Sequence, residues 1–279
     1  YEVEGVLFRN LLSLSEKIMS FVDEGIVYFL KKRFMKYEVI AMEGVINSRL
    51  EDRQLYNFAL SRDVKSIVEK AKDLEEFVAM LKDTRYGNTI GGVADDFRET
   101  GSAPILNLAL ERAYLNELWL SIGELPGSDR KMAREFIGIE VDTMNILTIL
   151  RNSDPHQREK FIIPHYYLLR EEKVKECIKS SETTEIVAML STGPYRDLCK
   201  DIRGYENSGS LLPVELNVKR YILNKSRAAL SALSEDPMGI SMILAFLKLK
   251  EIEFENLRAI AVGVGNNLPP EEIREILVF

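Results

Sequence analysis

The sequence predicts an all-α fold made of repeated helical units, and three observations carry that prediction. Apolar residues recur at three- and four-residue steps through most of the 279 residues, as they do in helices that bury one face. Alternation of β-branched residues nowhere runs beyond four or five positions, so nothing supports a sheet. The third observation is an internal repeat. Glu76-Phe77-Val78-Ala79-Met80-Leu81, followed by Tyr86, returns 109 positions later as Glu185-Ile186-Val187-Ala188-Met189-Leu190, followed by Tyr195. Glu140-Val141-Asp142 and Asn145-Ile146-Leu147 return 111 positions later as Glu251-Ile252-Glu253 and Asn256-Leu257-Arg258. A unit too small to bury its own apolar face stacks on copies of itself.

Taken in order, Leu11, Leu14, Ile18, Phe21, Val22, Ile26, Leu30 and Phe34 predict one long amphipathic helix running on to Ile46. Leu106, Leu110, Leu115, Leu118 and Ile122 predict a second, introduced by Pro104 and stopped near Gly123. Met132, Phe136, Ile139, Thr143, Ile146 and Leu150 predict a third, with Ser128 as N-cap. Val214, Val218, Tyr221, Ile222 and Ala229 predict a fourth. Asp236-Pro237 reads as N-cap and first-turn proline of a helix continuing through Leu257. Gly87 to Gly92, Gly101-Ser102, Pro126-Gly127-Ser128, Asn207 to Ser210 and Gly263 to Pro270 punctuate these segments, and Pro155 and Pro164 break theirs into loop. Gly263-Val264-Gly265 reads as a C-cap and turn before a new helix.

Each unit has the same order: a short helix ending near a tyrosine, a middle helix, then a long helix with the acid-and-asparagine pattern. The expected organisation is a single all-helical repeat domain over residues 1–279, with pseudo-repeats at about 1–72, 73–182 and 183–279. Lys31 to Ile46 matches the long closing helix but lacks the acid–asparagine pattern, and the first half of that unit is expected to precede Tyr1.

A hydrophobic content of 46% suffices for a sizeable core, and 29% charged residues solvate the surface. The net charge of −7 argues against sequence-independent nucleic-acid binding and against direct binding of anionic lipid headgroups. The longest apolar stretch, Met238 to Leu247, is about half of a membrane span. No signal-peptide pattern opens the chain. Cys177 and Cys199 lack CxxC spacing and read as free thiols of a reducing compartment.

Candidate chemistry is sparse. Glu140 with Asp142, and Glu251 with Glu253, are carboxylate pairs, but side chains two apart on a helix point about 200° away from each other. Glu140, Asp142, Asn145, Glu251, Glu253 and Asn256 are therefore expected to be a structural repeat motif that bonds neighbouring loop chain or adjacent basic groups. His156 and His165 match no metal motif and read as surface residues. Neither glycine cluster contains GxxxxGK[ST], so no nucleotide site is expected. Lys31-Lys32-Arg33 with Lys36 reads as a solvated helix face, with a docking patch for an acidic partner helix as the alternative. No catalytic residues, cofactor or metal are expected.

The stretch Glu135-Phe136-Ile137-Gly138-Ile139-Glu140-Val141-Asp142-Thr143-Met144-Asn145-Ile146-Leu147 resembles the closing helix of the middle repeat of the C subunit of A-type, V-like rotary ATP synthases. That family is homologous to the d subunit of eukaryotic vacuolar ATPases. Asp236-Pro237-Met238-Gly239-Ile240 with Leu244-Ala245-Phe246-Leu247-Lys248 resembles the family's entry to its final long helix. Glu255-Asn256-Leu257-Arg258-Ala259-Ile260-Ala261 and Leu268-Pro269-Pro270-Glu271-Glu272-Ile273-Arg274 resemble its C-terminal signature, the most specific of these matches. The resemblance covers residues 60–279 well and 1–60 by position. Two departures stand out: the opening half-repeat is absent, and Val264 stands where the family often carries a basic residue.

The resemblance implies three similar helical units about a pseudo-threefold axis, forming a funnel or socket, with the first unit incomplete here. It further implies a noncatalytic central-stalk adaptor, peripheral on the cytoplasmic face of the cell membrane. The implied partners are the membrane rotor ring subunits and the central stalk subunits, which it couples during proton or sodium transport. A free-standing helical-repeat protein-binding module is the rival expectation, and a helical enzyme would require a deep pocket of converging polar groups.

Overall fold

Every regular element among the described residues is helical. The structure, a computed structural model, describes residues 2–51, 59–180, 182–199, 212–231 and 239–279. It divides into two compact units, Tyr1–Ser121 and Ile122–Phe279.

The first unit opens with α1 (Glu2–Met19) and α2 (Glu24–Asn47). The single helix expected from Leu11 to Ile46 is thus two. At the break the Ser20 hydroxyl donates to the Lys17 carbonyl in the last turn of α1 at 2.7 Å. Phe21, expected on the buried stripe, is 80% exposed. Then come α3 (Arg62–Lys70) and α4 (Leu74–Leu81). Asp73 caps α4 by accepting the Glu76 N–H at 2.8 Å, while Glu76 accepts the Lys72 N–H at 2.9 Å. The glycine cluster expected to be a turn forms a short helix, α5 (Gly87–Gly91), before α6 (Ala94–Thr100). Gly101 closes α6 at φ 65°, where a side chain would be strained. α7 (Ala103–Ser121) packs along α2. Phe29, Leu30 and Met42 of α2 and Leu106, Leu110 and Leu118 of α7 are fully buried. Lys32 pairs with Glu117 at 2.8 Å, and Arg33 donates to the Tyr114 hydroxyl at 2.7 Å.

The second unit begins with a 3-10 turn, Ile122–Glu124, and then α8 (Gly127–Arg151). Its N-cap is Pro126, so Ser128 lies inside the first turn rather than capping it. α9 (Pro155–Phe161) occupies a segment expected to be loop. Pro155 starts that helix rather than breaking it, because Asp154 accepts the His156 N–H at 2.9 Å and a first-turn proline has no N–H to lose. α10 (Glu171–Lys179), α11 (Thr183–Leu190), α12 (Arg196–Cys199), α13 (Leu212–Ser231), α14 (Ile240–Gly265) and α15 (Pro270–Ile276) follow. Asp236 and Pro237 lie outside the described residues. α14 begins behind Gly239, and Asp129 of α8 accepts its Ile240 N–H at 3.2 Å.

α14 packs on both α13 and α8. Lys219 pairs with Glu255 at 2.7 Å across α13 and α14, and Arg151 with Glu215 at 2.8 Å across α8 and α13. α14 does not stop at Gly263, as expected, but runs through Gly265 and turns at Asn267, φ 56°. Gly263 serves close packing: a Cβ there would lie 2.7 Å from Ile273 Cγ1 of α15. Gly138 of α8 does the same under the Tyr167 ring, where a Cβ would meet Tyr167 Cγ at 2.5 Å.

Helix bounds recur along the chain. α3 and α10 each have nine residues, and α4 and α11 each have eight. Both pairs start 109 positions apart, the same offset that the sequence motif shows.

A methyl group at Gly138 must displace the Tyr167 ring or the loop that carries it. Gly138→Ala is expected to lower stability by about 1–3 kcal/mol, measured by urea unfolding.

Candidate functional site at the closing-helix carboxylates

The richest polar constellation sits on α8. Asp142 is fully buried, and its carboxylate accepts four hydrogen bonds. Oδ1 accepts the Tyr167 N–H at 3.0 Å. Oδ2 accepts the Leu168 and Leu169 N–H groups at 2.7 and 2.8 Å, and the Tyr195 hydroxyl at 2.9 Å. Burial raises the carboxyl above its usual range, against the pull of the three amides and the phenol. Burial also raises the Tyr195 phenol, and the adjacent Asp142 charge adds to the shift.

One helical turn on, Asn145 binds the same loop at a second point. It accepts the Ile163 N–H at 2.8 Å and returns its amide to the Ile163 carbonyl at 3.1 Å. Asn256, its counterpart on α14, accepts the Val278 N–H at 3.0 Å and donates to the Val278 carbonyl at 2.7 Å. The two asparagines thus make the same two-pronged bond to chain beyond their helix.

The remaining singled-out acids meet lysines. Glu140 and Glu251 both approach Lys248, at 2.9 and 3.4 Å, a largely buried cluster joining α8 to α14. Glu253 pairs with Lys250 at 2.6 Å on the surface. So the structure brings Asp142 and Asn145 onto one loop and Glu140 and Glu251 onto one lysine. It leaves Glu253 and Asn256 apart from both groups.

Two residues escaped the sequence reading. Glu38 of α2 is buried, accepts the Tyr86 hydroxyl at 2.6 Å and the Ser61 N–H at 2.8 Å, and pairs with Arg85. It stands to Tyr86 as Asp142 stands to Tyr195, although the acid–asparagine pattern is absent from Lys31–Ile46, as expected. The positions matching Glu140 and Asn145 both depart, being Lys36 and Ala41. The signal was there: an acid about 50 residues before each repeated tyrosine, blurred by a five-residue difference in spacing. Arg158 had no such signal. It is buried and donates to the carbonyls of Ile149 and Asn152 and to those of Cys177, Ile178 and Ser180. Those carbonyls lie at or just beyond the C-terminal ends of α8 and α10, where the partial negative charge of a helix favours a cation. Burial lowers its pKa.

His156 lies on α9, and His165 lies in the Asn145-bound loop, where burial lowers its pKa. Its carbonyl lies 3.4 Å from the Asn145 amide. Cys177 is buried and free, its thiol pushed up to about 11 by desolvation. The side chain of Cys199 lies outside the described residues. Among the described residues no three metal-ligating side chains cluster, and no helix is long and apolar enough to cross a membrane.

A sequence model of the family described as "ATP synthase (C/AC39) subunit" matches residues 1–276. Similar curated proteins include three named as the C subunit of an A-type ATP synthase. The one from Methanosphaera stadtmanae is 25% identical over 88% of this chain and 64% of its own length. That from Methanocaldococcus jannaschii is 28% identical over 76% of this chain and 55% of its own length. That from Pyrococcus horikoshii is 24% identical over 99% of this chain and 75% of its own length. The chain thus spans less than two thirds of the two methanogen relatives.

Asp142→Ala strands three backbone donors and a phenol, so it is expected to cost about 3–5 kcal/mol by urea unfolding. Tyr195→Phe, which removes one donor, is expected to cost about 1 kcal/mol. A second expectation concerns pH. Burial pushes Tyr86 from 10.0 up to about 12. Folding therefore delays its ionisation, and the stability this confers is complete below pH 10 and lost as pH climbs through about 12. Unfolding free energy should fall across that window, and less steeply in Tyr86→Phe.

Proposed function

This chain belongs to the ATP synthase (C/AC39) subunit family, and from that membership we propose that it serves as the C subunit of an A-type rotary ATP synthase. In this reading it is a noncatalytic adaptor on the cytoplasmic face of the membrane. It couples the central stalk to the membrane rotor ring while protons or sodium ions are transported. The observation that carries the proposal is the family match along nearly the whole chain, together with the shared name of its relatives.

The geometry supports it. Asn145 and Arg158 spend their bonds on backbone of their own unit, and Asp142 on three backbone amides and one phenol of that unit, which suits a part that transmits force by contact. The acids and asparagines, Glu140, Asp142, Asn145, Glu251, Glu253 and Asn256, act in this reading as structural fastenings of the repeated units. The three-unit repeat organisation belongs to the same proposal.

The test is affinity purification of the tagged chain from membranes of its own organism under low-detergent conditions. Rotor-ring and central-stalk subunits are expected to co-purify, and depletion of the chain should abolish ATP-driven ion transport. Recovery of the chain with neither set of subunits would favour a free-standing helical-repeat binding module instead.

A further inference from the structure

α8 and α14 meet at the repeat's own offset. Asp129 of α8 accepts the N–H of Ile240, 111 positions later, at 3.2 Å. Further along α8, Glu140 pairs with Lys248 at 2.9 Å. The same ammonium lies 3.4 Å from Glu251, again 111 positions after Glu140. The two ties advance in the same direction on both helices, so α8 and α14 run parallel. Counterpart residues therefore stand at the same height along the two axes, over a length of about 16 Å at 1.5 Å per residue.

Apolar packing alone does not fix such an alignment. Ala133, Ile137 and Val141 of α8, and Ile240, Leu244 and Leu247 of α14, are buried and follow one another by about one turn. A slide of about 5.4 Å along the axis brings each apolar residue to the place of the next. Packed helices with several such seats can step between them by whole turns.

The charges remove that degeneracy. The side chains of Glu140, Lys248 and Glu251 are only 14%, 13% and 6% exposed, so little water is at hand to replace a lost partner. A buried ion cluster is seldom more stable than apolar residues of similar volume, and its best-attested use is to specify register. An apolar residue does fit at the equivalent place: the counterpart of Lys248 on α8 is Ile137, which is buried. The two contacts of Lys248 also differ in kind. The one with Glu251 lies within α14 and survives any slide, whereas the one with Glu140 spans the two helices and is broken by a slide.

We propose that Lys248, held by Glu251 and paired with Glu140, is a register lock. It selects one axial alignment of α8 against α14 from those that their apolar faces allow. The lock lies within the second unit and does not depend on the role proposed for the chain.

Spin labels at Lys131→Cys and Glu253→Cys, exposed positions on α8 and α14, report the spacing of the two helices by electron–electron resonance. Cys177→Ala and Cys199→Ala remove the native thiols from this parent chain. One narrow distance is expected in the parent, and the same one in Asp129→Ala. The apolar variant Glu140→Leu/Lys248→Met/Glu251→Leu should show a broadened distribution, or a second distance shifted by up to about 5.4 Å. Its urea midpoint should be no lower than that of the parent. The charge-swapped variant Glu140→Lys/Lys248→Glu/Glu251→Lys should give the single narrow distance again. One unchanged distance in the apolar variant would overturn the proposal. Broadening in Asp129→Ala alone would also overturn it, by giving the alignment to the bond at the start of α14. So would a charge swap that leaves the distances broad. An apolar variant that unfolds at lower urea, or does not fold, would make the cluster a tie that only stabilises, and would overturn the proposal as well.

Discussion

A single buried carboxylate sets the geometry of the second unit. Removing a charge from water costs several kcal/mol unless hydrogen bonds replace its hydration. Asp142 has its lone pairs filled by three consecutive backbone amides and one phenol. That requirement fixes more than the side chain. Successive N–H groups of an extended segment point in different directions, so three can converge on one carboxylate only if the chain at Tyr167–Leu169 curls around it. α10 begins two residues later, and its position therefore follows from that of Asp142. Tyr195 then ties the region beyond α11 to the same oxygen. One acid thereby places the short helices whose apolar faces complete the core on α8.

The fastenings recur by position more than by residue type. Glu38 does on α2 what Asp142 does on α8, with one backbone amide instead of three and an arginine in addition. The longer glutamate reaches the N-terminal end of α3 through Ser61, whereas the shorter aspartate draws the loop in to itself. Asparagine supplies a neutral version of the same tie on α8 and α14, where one amide satisfies both the donor and the acceptor of a single residue. Arg158 completes the set with opposite sign, spanning carbonyls from two helix ends. Each device pairs a side chain fixed on a helix with backbone from elsewhere, so loops that would otherwise be held by water alone are held by the core.

The existence of the helices was legible in the sequence because burial of one face imposes a period that can be counted along the chain. Their ends were less so. The chain breaks near Ser20, whose hydroxyl bonds a carbonyl in the last turn of α1, and α9 starts at Pro155 because Asp154 caps it. Periodicity registers neither hydrogen bond. α14 passes through Gly263, where Ile273 occupies the space that a Cβ would need, and that contact is set by a different helix. Among the polar residues, Asp142 and Asn145 were visible because a second copy repeats their spacing. Glu38 was hidden by a loop of different length between acid and tyrosine, and by Ala41 in place of asparagine. Arg158 was invisible because its partners are carbonyls, which every residue has.

The distinction between these directional ties and ordinary packing bears on what the proposed role demands. Apolar helix faces that meet ridge in groove resist separation, but a small slide along the axis costs them little until the ridges collide. Hydrogen bonds fail sooner: an N–H···O bond weakens steeply beyond its narrow range of distance and angle. Asp142 with four donors and Asn145 with a two-pronged bond therefore pin α8 to its loop at two points one turn apart. Two points fix a direction as well as a position, and so oppose rotation of the loop about either one. A body that passes torque through its surface needs that kind of resistance inside. Deep burial excludes competing water from the pins, which keeps those bonds at full strength while load is applied.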